Sequence, residues 1–477
     1  MPHLGEHAIV LGAGMAGLVH AVPLARRFRH VTLVDRDLLP DRRDERRGVP
    51  QGQHIHLLVP GGLSRLEELL PGIVDDLTAA GAHVIESPEW RFHMGGGRLD
   101  LTGTDFRITG ATRPLIEGVV RDRVRALDGV EVLDGWAARE LTTDAGRSRI
   151  TGVRLRSEAE PAEERTLDAD LVVDTTGRGS PSPRWLAELG YAPPAEERLK
   201  VDVHYTTRMF RRDPAVLDGA RNVLVDVPPD GRRGGVALAI EDGRWIVTLI
   251  GMLGERPPAD PAGFADYAAG LWSRDLSDIV AGAEPSGEAA RAAFPSFSRH
   301  RYDRLRRLPE GYLVAGDAVC SFDPRFGQGM TVAIIEAVEL GRALDARGVD
   351  RIGLRTLAAA RWAVQDAWDL ATGSDLAYPE VDGPRPVSWR LTTAYLQRLL
   401  PAAHRDPVVA AAFIRVIGML ARPAELMRPH LLARVLIGSG RQTGRGVTGG
   451  HPAGTLARST AAGRQQPRGD RSPARRP

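Results

Sequence analysis

Residues 311–332 read Gly-Tyr-Leu-Val-Ala-Gly-Asp-Ala-Val-Cys-Ser-Phe-Asp-Pro-Arg-Phe-Gly-Gln-Gly-Met-Thr-Val. The apolar run Tyr312 to Ala315 predicts a short strand that ends in Gly316-Asp317. A loop carrying Pro324, Gly327 and Gly329 comes next, and an apolar helical pattern starts at Met330. A glycine-rich turn between strand and helix presents unpaired backbone N–H groups and the positive helix end to an electron-rich ligand.

The same grammar opens the chain. His7-Ala8-Ile9-Val10-Leu11 reads as a buried strand, followed by Gly12-Ala13-Gly14-Met15-Ala16-Gly17 and a helical stretch. Gly12 permits a tight turn, Gly14 lets backbone approach a pyrophosphate, and Gly17 lets helix and strand pack closely. A second strand, Val31 to Val34, ends in Asp35, 21 residues after Gly14. An acid there accepts hydrogen bonds from a ribose hydroxyl. Pro23 removes a donor inside the first helix and predicts a kink. A third strand, Leu171 to Val173, runs into Asp174-Thr175-Thr176-Gly177-Arg178-Gly179-Ser180.

Bulk properties bound the function. At 477 residues, 43% hydrophobic and 26% charged, the chain has the composition of a globular protein with room for two or three domains. Residues 451–477 hold six Arg and one acid, so the formal charge of +2 conceals a basic tail on an acidic body. A nucleic-acid groove is not implied. The Gly-, Pro-, Ser- and Arg-rich segment 441–477 reads as a disordered tail. One cysteine, Cys320, excludes an intramolecular disulfide and reads as a small buried side chain. No uninterrupted apolar run reaches the about 18 residues of a membrane span, and the N-terminus enters its first strand without a signal peptide. A cytoplasmic monomer or homodimer is expected, with no nucleic-acid partner.

Along the chain the expected class is α/β, α+β overall. A discontinuous nucleotide domain takes 1–72, 110–180 and 300–345. Residues 73–109, with a β-meander read from Ala82 to Thr109 around Gly95-Gly96-Gly97, and 181–299 form an inserted antiparallel sheet. Strands are expected at Val201–Arg208, Val223–Val227, Val236–Ile240 and Trp245–Ile250, with Glu241-Asp242-Gly243 as a hairpin turn. Residues 346–440 are helical, broken by a Pro-rich stretch at 379–387. The apolar helices near Val408–Leu420 and Leu426–Leu436 fit core packing, a cap on a cavity, a dimer surface or a membrane-resting face.

Three strand-then-glycine turns in one discontinuous domain make the chain resemble the FAD-dependent monooxygenases of the para-hydroxybenzoate hydroxylase type. The resemblance spans roughly residues 5–375. It is nearest the bacterial branch of squalene and polyether epoxidases, through Arg47-Gly48-Val49-Pro50-Gln51 with His54, the 174–180 turn, Asp242-Gly243-Arg244-Trp245-Ile246-Val247, and 316–330. It implies a Rossmann-like FAD domain of the glutathione-reductase type with an inserted β-sheet substrate domain. It implies Gly12, Gly14 and Gly17 at the FAD pyrophosphate, Asp35 with Arg36 at the adenosine ribose, and Arg113 and Arg47 on FAD. Asp174 belongs to the same set. Asp317 is implied at a ribityl hydroxyl, and Pro324, Gly327, Gln328, Gly329 and Met330 at the flavin ring. Where the superfamily has Gly-Ala-Asp-Gly, this chain has Val173-Asp174-Thr175-Thr176-Gly177, a departure that bears on nicotinamide docking. NAD(P)H is the implied transient reductant and O2 the co-substrate. The resemblance implies a flavin C4a-hydroperoxide that epoxidises or hydroxylates a bulky apolar, polyene- or polyketide-like secondary metabolite. Epoxidation needs no protein base; phenol hydroxylation benefits from one, with His54, His56, His204 and Tyr205 as candidates, each also readable as structural. An aromatic hydroxylase and a prenyl reductase remain alternatives. A halogenase is disfavoured, because the Trp-x-Trp-x-Ile-Pro motif is absent and Lys200 is the only lysine. No metal site is expected.

Overall fold

The computed structural model describes residues 3–40, 43–46, 48–281 and 283–439. The expected tail, 441–477, lies outside them.

Five strands form one parallel sheet. The order is Tyr312–Val314, Leu171–Asp174, Gly5–Leu11, Phe28–Asp35, Val130–Asp134. Ala8 to Leu11 and Leu171 to Asp174 are buried on both faces, as continuous apolar strands in a covered parallel sheet must be. Register sets where the glycine turns emerge. Leu11 pairs with Asp174, and Asp174 pairs with Val314. The three turns therefore leave the same sheet edge side by side, although they are about 160 and 140 residues apart in the chain.

Helices Met15–Ala25 and Gly329–Arg347 pack against each other. The first runs through Pro23, which sits in its last turn; the expected kink does not interrupt it, because few helical bonds remain there to lose. Arg27 Nη1 donates to the Pro23 carbonyl at 2.8 Å.

An eight-stranded sheet has the order Cys320–Ser321, Pro285–His300, Glu196–Arg211, Arg244–Met252, Arg233–Ile240, Asn222–Val225, Trp90–Met94, Gly97–Arg98. It is antiparallel except where Asn222–Val225 runs parallel to Trp90–Met94. Asp242 and Gly243 both adopt positive φ in the turn that joins two of its strands. The meander expected over 82–109 is instead divided. His83–Glu86 and Arg107–Gly110 pair with each other beside Leu57–Leu58, whereas Trp90–Met94 joins the large sheet. Ser87–Glu89 forms a tight 3-10 turn between them, and Trp90, 2% exposed, is committed to the second core. The strand Pro285–His300 was not expected. Its Ala/Ser-rich sequence has little intrinsic β preference and is held by twelve residue pairs with Glu196–Arg211. Pro295 within it faces a bulge at Val201-Asp202, a position that does not need its missing N–H.

Helices Ile352–Asp375, Val387–Ala403, Pro407–Ile417 and Pro429–Ser439 complete the described chain. No described helix is long and apolar enough to cross a membrane.

Candidate active site

The glycine turns are shaped by close backbone approach. Gly12 has φ +95°, and a Cβ there would lie 2.8 Å from the Thr175 carbonyl oxygen. Thr175 in turn donates its hydroxyl to Leu11 O at 2.8 Å and Gly12 O at 3.0 Å, so the first and second turns are stitched together. A Cβ on Gly17 would meet Gly12 O at 1.7 Å. Gly14 caps helix Met15–Ala25 with no side-chain acceptor, leaving the first N–H groups of that helix for a ligand.

At the end of strand Phe28–Asp35, Asp35 Oδ2 accepts from Ala13 N at 2.6 Å and from Arg46 Nη1 at 3.1 Å, while Oδ1 accepts from Asp37 N at 2.9 Å. Arg46 Nη2 reaches Glu117 at 2.9 Å, and Glu117 also receives Nε and Nη2 of Arg113. Four buried or nearly buried charges thus form one alternating chain, Asp35–Arg46–Glu117–Arg113. The two arginines hold the Glu117 carboxyl below its ordinary range despite burial. Arg46 Nη2 also stands 3.4 Å from where a Gly14 Cβ would be, beside the glycine turn at 12–17. Thr112 caps the helix that begins at Arg113 and is itself fixed by Glu241 through Thr112 N at 3.0 Å and Oγ1 at 2.5 Å.

Asp174 faces away from this space. Its Oδ1 accepts from Thr176 N and Oγ1, and its Oδ2 from the hydroxyls of Ser180 and Ser182. It is fully buried and shapes the 175–182 loop from behind. Asp317 behaves oppositely. Its carboxylate finds no hydrogen-bond donor among the described residues, and burial raises its pKa against the pull of Arg113 and Arg178. An unsatisfied, half-buried carboxylate of this kind fits a hydroxyl-bearing ligand. Gly316, just before it, has φ +65°.

Helix Gly329–Arg347 begins without a side-chain cap, since Gln328 turns away to donate to Ile417 O at 2.9 Å. Its free N–H groups are available to a site of developing negative charge. The preceding loop is held by Asp323, Arg325 and Asp375. Arg325 lies between the two aspartates, both fully buried, with Nε 2.7 Å from Asp323 Oδ2.

These parts open into one cavity of about 2180 Å3. Gly12, Gly14, Asp35, Arg36, Arg113, Asp317, Pro324, Gly327, Gln328, Gly329 and Met330 all line it, as do His54 and His56. Gly17 and Asp174 do not, and act through the backbone they shape. Arg47 lies outside the described residues. His204 bonds Asp202 at 3.0 Å and does not line the cavity. Leu396, Leu400, Phe413 and Ile414 of the C-terminal helices line it together with Trp90 and Phe92, which gives the cavity an apolar wall. No group of His, Cys, Asp and Glu able to hold a metal occurs among the described residues.

Sequence reading missed Arg46, Glu117, Glu336 and the Asp323–Arg325–Asp375 cluster. Arg46 was hidden in the charge run of 42–47. Glu117 carried a visible signal, its i,i+4 spacing from Arg113.

No family model matches the chain. Protein Rv3254 of Mycobacterium tuberculosis (strain ATCC 25618 / H37Rv) is 33% identical over 431 residues, 87% of this chain and 90% of that one. Two solved structures are similar in fold. A flavoprotein/dehydrogenase from Cytophaga hutchinsonii superposes with a TM-score of 0.66 at 16% identity, over 92% of this chain and 100% of its own. PqsL of Pseudomonas aeruginosa, a probable FAD-dependent monooxygenase, superposes with a TM-score of 0.60 at 18% identity, over 79% of this chain and 97% of its own.

Proposed function

We propose that this chain, which belongs to the family of mycobacterial Rv3254, is an FAD-dependent, NAD(P)H-consuming monooxygenase acting on a bulky apolar substrate. The observation that carries the reading is the register of the parallel sheet. It sets the pyrophosphate turn at 12–17, the loop at 175–179 and the Gly316-Asp317 turn along one edge of a single cavity.

The residues fit FAD along its length. The uncapped helix after Gly14, with Arg46 beside it, suits the pyrophosphate. Asp35 keeps a lone pair for ribose after its three internal bonds. Asp317 would offer an unpartnered carboxylate to a ribityl hydroxyl, and the uncapped helix N-terminus at Gly329 would suit the negative charge of a reduced flavin. When bound, the flavin would take a hydride from NAD(P)H and activate O2 for transfer of one oxygen atom to substrate. The protein's own task is then to orient the substrate, keep water out and supply hydrogen bonds.

The volume supports a large second ligand. Single-ligand pockets typically hold about 300–1,000 Å3, and this cavity is about 2180 Å3. Epoxidation of an alkene and hydroxylation of an electron-rich ring both fit its apolar wall. A halogenase lysine has no counterpart, because Lys200, the one lysine of the chain, is exposed on a strand away from the cavity.

The test is direct. The purified protein is expected to show a bound-flavin absorption spectrum and to consume O2 in step with product when given NADH or NADPH and a panel of polyenes and phenols. A colourless protein that takes up no FAD overturns the reading. Anaerobic saturation of a double bond would transfer it to the prenyl-reductase alternative.

A further inference from the structure

Two of the polar side chains that line the cavity touch. The rings of His54 and Tyr205 meet edge to face with centroids 6.0 Å apart, and Tyr205 packs in the same way on Phe294 at 5.4 Å. Both residues are almost wholly buried, at 3% and 4% exposure, yet both line the cavity.

Hydrogen-bond accounting fixes what His54 presents. Its Nδ1 lies 2.8 Å from Thr207 Oγ1, and Thr207 Oγ1 lies 2.7 Å from Thr248 Oγ1. Both threonines are buried. If Nδ1 carried the proton, it would donate to Thr207 and Thr207 to Thr248. The Thr248 hydroxyl hydrogen would then be left without an acceptor among the described residues. In the opposite order Thr248 donates to Thr207 and Thr207 donates to Nδ1, and every group in the relay is satisfied. The proton of the neutral ring is therefore on Nε2, the nitrogen that has no protein partner among the described residues. Burial pushes the His54 pKa down to about 4, which keeps the ring neutral at pH 7.

Tyr205 offers the second donor. Its hydroxyl has no hydrogen-bond partner among the described residues, and burial beside Asp323 pushes its pKa well above the usual value, so the O–H keeps its proton. His56, by contrast, spends Nδ1 on the His54 carbonyl at 3.0 Å and lies beside Arg113.

We propose that His54 Nε2–H and Tyr205 O–H form a pair of neutral donors that recognises an acceptor oxygen on the substrate, a ketone, quinone or phenolate carried by an extended apolar ring system. This assignment rests on the flavin-and-substrate reading of the cavity and narrows its substrate class. Neither residue takes a proton from the substrate in this scheme. His54, with Nδ1 already accepting from Thr207, has no free lone pair to act as a base, and the pair instead sets which end of the substrate is anchored.

The experiment compares 9-fluorenone with fluorene, two tricyclic probes of nearly one shape that differ in a carbonyl oxygen. Binding of each to FAD-loaded protein is measured by calorimetry, in wild type, Tyr205→Phe and His54→Phe. The wild type is expected to prefer fluorenone. Tyr205→Phe, which deletes one oxygen atom, should reduce that preference about 5-fold or more, the net worth of one hydrogen bond, with fluorene affinity unchanged. His54→Phe should act in the same direction, and bound fluorenone should lose the red-shifted emission of its hydrogen-bonded carbonyl. An unchanged preference in Tyr205→Phe overturns the pair, as does equal binding of the two probes by wild type. FAD loading is scored first, so a protein that takes no flavin fails the functional reading, whereas a loaded protein without probe discrimination fails this assignment alone.

Discussion

The backbone N–H of Gly316 donates to Oε2 of Glu336 across 2.7 Å, tying the turn at the Gly-Asp motif to the interior of the next helix. Glu336 is 4% exposed, and burial together with the charge of Asp317 pushes its pKa up to about 8 from an ordinary 4.5. A carboxyl whose pKa is raised by folding binds its proton more tightly in the native state. Its contribution to stability is complete below pH 4.5 and is lost as pH rises towards 8, with a slope of up to about 1.4 kcal/mol per pH unit. Glu336→Gln keeps an acceptor for Gly316 and cannot ionise. Its melting temperature should match wild type near pH 5 and exceed it increasingly towards pH 8. The difference between the two proteins isolates Glu336 from Asp375, which burial also pushes up to about 8. A constant difference across this range would refute the assignment.

Asp317 projects its unpartnered carboxylate into the cavity beside the glycine loop at 327–329. Asp317→Ala should weaken flavin retention with little loss of stability, because no internal hydrogen bond is removed. The measurement is flavin occupancy after gel filtration, together with a urea unfolding midpoint. Full occupancy and unchanged turnover would refute the ribityl role.

Much of the site was legible because its signals are local. A short apolar strand followed by Gly12, Gly177 or Gly316 announces a turn in a few residues, and each of these three has positive φ. What was not legible depends on partners distant in sequence. Arg46 is one arginine in a run, and only the fold places it between Asp35 and Glu117, 11 residues before it and 71 after it. Asp375 is a helix-terminal acid until the chain brings Arg325 to it from 50 residues away. The strand Pro285–His300 carries no periodic pattern because pairing, not propensity, makes it.

Arg46 joins two acids that are otherwise buried, at 8% exposure for Asp35 and 4% for Glu117. Removing one partner of a buried ion network leaves uncompensated charge and typically costs about 3–5 kcal/mol. Arg46→Met should therefore lower the urea midpoint strongly. Adding Asp35→Asn should restore part of the loss, because Arg46 is the cation paired with Asp35, whereas Glu117 keeps Arg113. Additive losses in the double variant would show that the two residues do not form one network.

The clamp of Asp323, Arg325 and Asp375 tests whether a buried acid pair shares one charge. Two aspartates and one arginine, all but sealed from solvent, balance only if one carboxyl stays protonated. Asp375 is that group, since burial and the neighbouring Asp323 together outweigh the pull of Arg325. Asp375→Asn replaces a neutral acid by a neutral amide of nearly the same shape and should cost less than about 1 kcal/mol at pH 7. Arg325→Leu removes the only cation of the three and should cost about 3–5 kcal/mol, freeing the 322–327 loop that borders the proposed flavin face. The contrast depends on pH: from about pH 4 towards pH 8 wild type progressively loses the stability held by the protonated Asp375, while the amide does not, and above pH 8 the difference levels off. Urea midpoints at pH 5, pH 7 and pH 9 read both effects. If Asp375→Asn proved as damaging as Arg325→Leu at pH 7, Asp375 would be a charged partner of the arginine and not the protonated member of the pair.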